Sequence, residues 1–390
     1  MKPDFDRVIP REGTYSLKHD GRAAVFGTAD VLPMWVADMD FAAPEAVNRA
    51  LKARAAHPVY GYTLVPDSLY GVLIDWMKKR HHWQIEREWI LLAPGVVPSL
   101  NTAVMALTRP DEGVIVQPPV YLPFFSAVTK TGRRQVLNPL QCRDGRYSID
   151  LDDLEQCARN AKLLLLCSPH NPVGRVWQRA ELQAVLEIAR RHDLTIVSDE
   201  IHADLVYPEF QHHALASLAD DPANVVTAVA PSKTFNIPGL GLSALIVPDA
   251  GRRAAIGKVL DMTHANIANP FSLAAFEAAY REGEPWLESL LAYLKKTRDE
   301  AAAHIQSELP DIRMIDPEAT YLLWLDCRKL GMSDKKLQRF FVRNARVGMS
   351  PGASFGAGGE GRMRMNIGTS RQNVMMAIQR IGQALDSDRM

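Results

Sequence analysis

Residues 162–174 read KLLLLCSPHNPVG, and this stretch decides the fold. Its apolar run, Lys162–Cys167, does not alternate with polar residues, so the strand it predicts is buried on both faces. The run stops on Ser168-Pro169-His170-Asn171-Pro172, a cluster of turn formers. The same pattern recurs outward from it. GVIVQ (113–117) runs into Pro118-Pro119-Val120-Tyr121, and LTIVS (194–198) into Asp199-Glu200-Ile201-His202. NVVTAVA (224–230) runs into Pro231-Ser232-Lys233-Thr234-Phe235-Asn236, and a further run is SALIV (243–247). Helical patterns lie between, for example over 98–107 and 179–192. The alternation predicts an α/β domain whose mostly parallel sheet is covered by helices on both sides.

The two ends of the chain read differently. Residues 1–45 are turn-rich with one apolar stretch, 31–36. A long charged helix is expected over 286–306, then a strand at 321–326 and a helix at 335–344. The expected division is a large domain, 46–285, and a smaller α/β domain made of 1–45 with 286–390. The Gly-, Ala- and Ser-rich stretch 352–361 is expected to be a mobile loop.

Composition sets further bounds. Lys and Arg number 45, against 45 Asp and Glu, in 390 residues. A net charge of zero offers no general attraction to nucleic acid or to an anionic membrane, and little repulsion against self-association. The N-terminal stretch from Met1 to Arg7 has no signal-peptide core, and no apolar run reaches the ~18 residues of a membrane span. Cys142, Cys157, Cys167 and Cys327 form no C-x-x-C pair. The expectation is a reduced, soluble, cytoplasmic protein with no metal site.

Open α/β sheets bind ligands beyond the carboxyl ends of their strands. Polar or aromatic clusters at four such ends therefore imply one site. Asp199 ends a buried run, where a carboxylate is costly unless partnered. Lys233 also follows a buried run, and is either ion-paired or able to bond a carbonyl through its amine. Asn171 offers a rigid amide and Tyr121 a flat face. Ala93-Pro94-Gly95-Val96-Val97-Pro98 opens a helix whose free N–H groups suit a phosphate. Together these fit pyridoxal 5′-phosphate (PLP), which needs an imine-forming lysine, a carboxylate at its ring nitrogen and an anchored phosphate.

The segments WVADMDF (35–41), YGYT (60–63), PPVYLPF (118–124), SPHNPVG (168–174), SDEIH (198–202), SKTFN (232–236) and RMN (364–366) span nearly the whole chain. With them the sequence resembles the fold-type I PLP enzymes of the aminotransferase class I/II family. Within that family it looks most like the MalY/PatB-like cystathionine β-lyase (C–S lyase) group. The resemblance implies a large domain with a mostly parallel seven-stranded sheet, a smaller α/β domain, and a homodimer with shared sites. It makes Lys233 the residue that bonds the cofactor and then moves the Cα proton. Asp199 would keep the pyridine nitrogen protonated, Asn171 would bond the ring oxygen with His202 nearby, and Tyr121 would stack on the ring. Ser232 and the N–H groups of Val96 and Val97 would hold the phosphate, with Tyr62 reaching the neighbouring subunit's phosphate. Arg364 would grip the substrate carboxylate, and Ala37, Asp38 and Met39 would cover the substrate side.

The reaction implied is β-elimination of L-cystathionine or a related L-cysteine S-conjugate to a thiol, pyruvate and ammonia. An aminotransferase shares the same residues up to Cα deprotonation. Gly241 argues against it, standing where ordinary aminotransferases place a phosphate-binding arginine. A regulatory, partner-binding role is the third alternative. Arg362 rivals Arg364 by spacing alone, and reads otherwise as a surface charge. Tyr121 also reads as core packing, and Tyr62 as a turn or core residue. GLGLSA (239–244) precedes a strand instead of opening a helix, so it fails as a dinucleotide motif. The pairs His81-His82 and His212-His213 read as surface residues, Lys78-Lys79-Arg80 as a solvated helix end, and Cys167 as sheet packing.

Overall fold

Seven strands form the central sheet: β1 (Ile90–Ala93), β2 (Gly113–Val116), β3 (Arg134–Leu137), β4 (Leu163–Cys167), β5 (Thr195–Asp199), β6 (Val225–Val229) and β7 (Ser243–Ile246). The computed structural model describes residues 3–266 and 269–389. Met1 and Lys2, which begin the N-terminal stretch read above, lie outside them. The spatial order is β1-β7-β6-β5-β4-β2-β3. Neighbours from β6 to β3 are parallel, whereas β7 runs antiparallel to both β6 and β1. The register sets Cys167 opposite Asp199, and Asp199 opposite Ala228.

Every residue of β4, β5 and β6 is buried. Leu163, Leu165 and Cys167 pack with Leu100 and Val104 of helix Val96–Leu107 and Ile256 of helix Ala250–Met262. Leu164 and Leu166 belong to the other core cluster, with Leu182, Val185 and Ile188 of helix Arg179–Arg191. Successive side chains point to opposite faces, so a sheet with two covered faces demands apolar residues at every position. Each fully buried leucine contributes about 2 kcal/mol. The two strands without a sequence signal, β1 and β3, are the sheet edges. Arg134 and Leu137 of β3 are exposed, so its pattern is mixed.

The C-terminal part carries the long helix Glu284–Glu308 and a four-stranded antiparallel sheet. Its strands are β8 (Arg313–Ile315), β9 (Leu322–Asp326), β10 (Ser350–Pro351) and β11 (Arg362–Asn366), in the order β8-β9-β11-β10. The helix expected at 335–344 is present as Asp334–Arg339 and widens into a π turn over Phe340–Asn344. Leu32–Pro33 pairs in parallel with Val347–Gly348. Phe5 packs on Phe41 and Trp286. The N-terminal segment thus begins against the C-terminal part and crosses, over 35–41, towards the large sheet.

The expected mobile loop at 352–361 is instead a packed one. A Cβ on Gly352 would lie 2.1 Å from the Gly359 carbonyl oxygen, so the glycines permit close approach of two backbones. Its Phe355 carbonyl accepts a hydrogen bond from Val120 N at 2.9 Å. Among the described residues, no helix is long and apolar enough to cross a membrane.

Candidate active site

The carboxyl ends of β4, β5 and β6 and the turn after β2 converge on a cavity of about 200 Å³. Of the residues singled out in the sequence, Ala37, Val96, Val97, Tyr121, Asn171, Asp199, His202, Ser232 and Lys233 line it. Asp199 is the last residue of β5 and is buried. One carboxylate oxygen accepts from Ile201 N at 3.1 Å. Burial pushes its pKa up to about 7; the Ile201 N–H opposes this, Glu200 adds to it, and Lys233 opposes it. Lys233 sits in the short helix Pro231–Thr234, directly after β6. Its amine donates to the Ala37 carbonyl at 2.5 Å. Burial and the positive charge of Arg364 push its pKa down to about 8.

Arg364 lies on β11 and is buried. Its guanidinium donates to Asn171 Oδ1 at 3.0 Å, the Trp35 carbonyl at 2.9 Å and Ser350 Oγ at 3.3 Å, and lies over the Phe355 ring. Its Nε has no protein partner. Burial pushes its pKa down to about 10, so it stays cationic at neutral pH. His202 is buried with an unpartnered Nδ1. Burial, with Lys233 and Arg364 nearby, drives its pKa down to about 3, so the ring is neutral. Helix Val96–Leu107 begins at the cavity wall, where its first N–H groups have no partner within the helix.

Arg362 is not a surface charge. It is buried two positions from Arg364, and donates to the carbonyls of Gly358 and Glu360. Both arginines leave the same face of β11, but only Arg364 reaches Asn171. Asp38 is also placed differently from the expectation. Its carboxylate pairs with Arg11 at 2.7 Å and does not line the cavity. What residues 35–39 offer is backbone: Arg364 holds the Trp35 carbonyl, Asn366 those of Val36 and Asp38, and Asn236 that of Met39. Tyr62 is fully exposed and lies outside the cavity of its own chain. Sequence reasoning missed the clamps Asn366 and Asn236, which lie inside the quoted RMN and SKTFN segments.

Residues 29–381 match the model of the family described as aminotransferase class I and II. The chain belongs to this family. It is 45% identical to cystathionine beta-lyase PatB of Bacillus subtilis, over 98% of this chain and all of that one. Among solved structures, cystalysin from Treponema denticola superposes with a TM-score of 0.96 at 36% identity, covering 99% of this chain and 100% of that one. That structure contains a pyridoxal 5′-phosphate cofactor. The PLP-bound C–S lyase from Staphylococcus hominis superposes with a TM-score of 0.91 at 32% identity, covering 99% and 98%.

The donor set of this class I/II family member fits PLP. Asp199 is a buried carboxylate with no cation in salt-bridge contact among the described residues, as a partner for a pyridinium requires. His202 Nδ1 and Arg364 Nε are buried groups left without partners among the described residues. Gly241 also borders the cavity. Its φ is +35°, and a Cβ there would meet the Pro94 carbonyl oxygen at 3.0 Å. An arginine is therefore disfavoured there by backbone conformation as well as by space. Two further expectations are corrected by burial. His81 bonds Asp204 at 2.9 Å and His212 bonds Glu200 at 3.0 Å, and their rings meet edge to face. Of Lys78-Lys79-Arg80, the lysines are exposed but Arg80 turns inward to Asp204 at 3.3 Å.

Proposed function

We propose that this protein is a PLP-dependent C–S β-lyase that cleaves L-cystathionine or a related L-cysteine S-conjugate. The products are a thiol, pyruvate and ammonia. The observation that carries the chemistry is the half-buried Lys233 amine, its pKa drawn down to about 8, in one cavity with Asp199. The full-length likeness to a cystathionine β-lyase supports the lyase branch.

Bound PLP supplies the electron sink for charge that develops at the substrate Cα. The residues of this chain do the rest. Lys233 is the acid and base at Cα, and a pKa near 8 leaves part of it neutral at neutral pH. Asp199 would hold a proton on the ring nitrogen, and a cationic partner there would restore its ionised form against burial. The Asn171 amide and the neutral His202 would serve the ring oxygen, and Tyr121 would offer its flat face to the ring. Ser232 and the N–H groups of Val96 and Val97 would hold the phosphate. Arg364 would orient the substrate carboxylate through its planar fork, with the backbone of Ala37 and Asp38 covering the substrate side.

We further read the protein as a cytoplasmic homodimer in which the exposed Tyr62 completes the phosphate site of the other subunit. Residues 46–285 form the cofactor-carrying domain, and 1–45 with 286–390 the smaller one. The test is a panel of cysteine S-conjugates assayed for thiol and pyruvate. Lys233→Ala should abolish both the release and the lysine-dependent visible absorbance of the cofactor. Pyruvate release by the alanine variant at the parental rate overturns the assignment.

A further inference from the structure

The turn that carries Lys233 is gripped from behind by a carboxylate outside the cavity. Asp204 follows β5 by five residues and is buried. One of its oxygens accepts from Trp76 Nε1 at 3.1 Å and His81 Nε2 at 2.9 Å, with Arg80 Nε 3.3 Å away. These three partners come from the last turns of helix Asp67–His81. The other oxygen accepts from Thr234 Oγ1 at 2.9 Å. Thr234 is fully buried and is the residue after Lys233.

We propose that Asp204 is a positioning residue for Lys233, acting through the Thr234 hydroxyl. This rests on the reading of Lys233 given above. The opposite flank of the same turn is held by Asn236, which accepts from Met39 N at 2.9 Å and donates to the Met39 and Phe41 carbonyls. Lys233 thus stands between two anchors, one charged and one neutral. Burial works to raise the Asp204 pKa, but the bonds from His81 and Thr234 and the charge of Arg80 hold it below the usual carboxylate range. It is therefore an ionised acceptor, and a hydrogen bond to a charged acceptor is stronger and more directional than a neutral one. A lysine side chain has four rotatable bonds, so its amine is placed only as well as its own backbone is. Small displacements of a reacting group are costly in rate.

The test uses the holoenzyme with Thr234→Val, Thr234→Ser, Asp204→Asn and the double variant Asp204→Asn/Thr234→Val. Valine keeps the shape and loses the hydroxyl. Thr234→Val should lower kcat for elimination about tenfold to a hundredfold, with KM little changed. It should also reduce the visible circular dichroism of the bound cofactor. Thr234→Ser should restore most of both, and the double variant should be no worse than Thr234→Val alone. Parental kcat and dichroism in Thr234→Val overturn the proposal. So does equal loss in the valine and serine variants, or losses that multiply in the double variant. If Lys233→Ala keeps both the visible band and activity, the reading of Lys233 itself fails, and this proposal with it.

Discussion

Lys233 and Tyr321 share one acceptor. The lysine amine and the tyrosine hydroxyl both donate to the Ala37 carbonyl oxygen, at 2.5 and 2.9 Å. Tyr321 is buried and its ring lies edge-on to His202. When Lys233 leaves this oxygen to take a proton, Tyr321 keeps the carbonyl partnered and the 35–39 backbone in place. Tyr321→Phe should lower kcat/KM by roughly three- to tenfold, the worth of one neutral hydrogen bond. Steady-state kinetics with a cysteine S-conjugate measure it.

Arg364 is tied to Asn171, Trp35 and Ser350, so its replacement has two effects. Arg364→Lys loses the planar fork, and should raise KM by about ten- to a hundredfold with a smaller effect on kcat. It also leaves buried acceptors unpaired, at a cost of about 1–3 kcal/mol. Denaturant melts of the variant check the second effect, and substrate saturation curves check the first.

The pH dependence of apoprotein stability follows from Asp199. Its folded pKa of about 7 lies above its ordinary value, so between pH 4 and 7 the folded state binds more protons than the unfolded one. Stability from this group is therefore lost as pH rises through that window. Asp199→Asn removes the penalty. The variant apoprotein should melt about 1–4 °C higher than the parent at pH 8 and show no gain at pH 4. PLP should stabilise the parent more than the variant, because only the parent supplies a carboxylate for the ring nitrogen. Thermal melts with and without PLP at the two pH values decide it.

Gly241 has a left-handed backbone pressed against the Pro94 carbonyl. Gly241→Arg should destabilise the protein by about 1–2 kcal/mol. It should weaken elimination without producing transamination, since a phosphate contact alone does not redirect a proton. Product analysis for pyruvate against an oxo-acid partner reads this out.

Tyr62 is fully exposed in its own chain, beside the exposed Val59, Tyr60 and Leu64. If it completes the site of a second subunit, Lys233→Ala and Tyr62→Ala variants should complement each other. Mixed refolding should yield roughly a quarter of parental activity, since random pairing puts both lesions in one site of each mixed dimer. Activity no higher than the mean of the two pure variants rules out the shared site.

Much of this molecule is legible along the chain. The runs that became β2, β4, β5, β6 and β7 stand out because covering both sheet faces forces apolar residues at consecutive positions. Their ends stand out because Asp199, Lys233 and Asn171 are polar groups that break the apolar runs abruptly. The edge strand β3 carries a weaker signal, because half of its residues are exposed.

Other features are decided by contacts between segments far apart in sequence. Spacing places Arg362 and Arg364 on the same strand face; only the arrival of Asn171, Trp35 and Ser350 separates their tasks. Asp38 sits in a motif, yet Arg11 claims its carboxylate and leaves the neighbouring Ala37 carbonyl to Lys233. His81 and Asp204 are 123 residues apart, so nothing local to either marks a buried pair. Local pattern records whether a position is buried and on which side of its own element. Which polar groups satisfy one another inside is a property of the packed whole, because each buried partner is supplied by a different element.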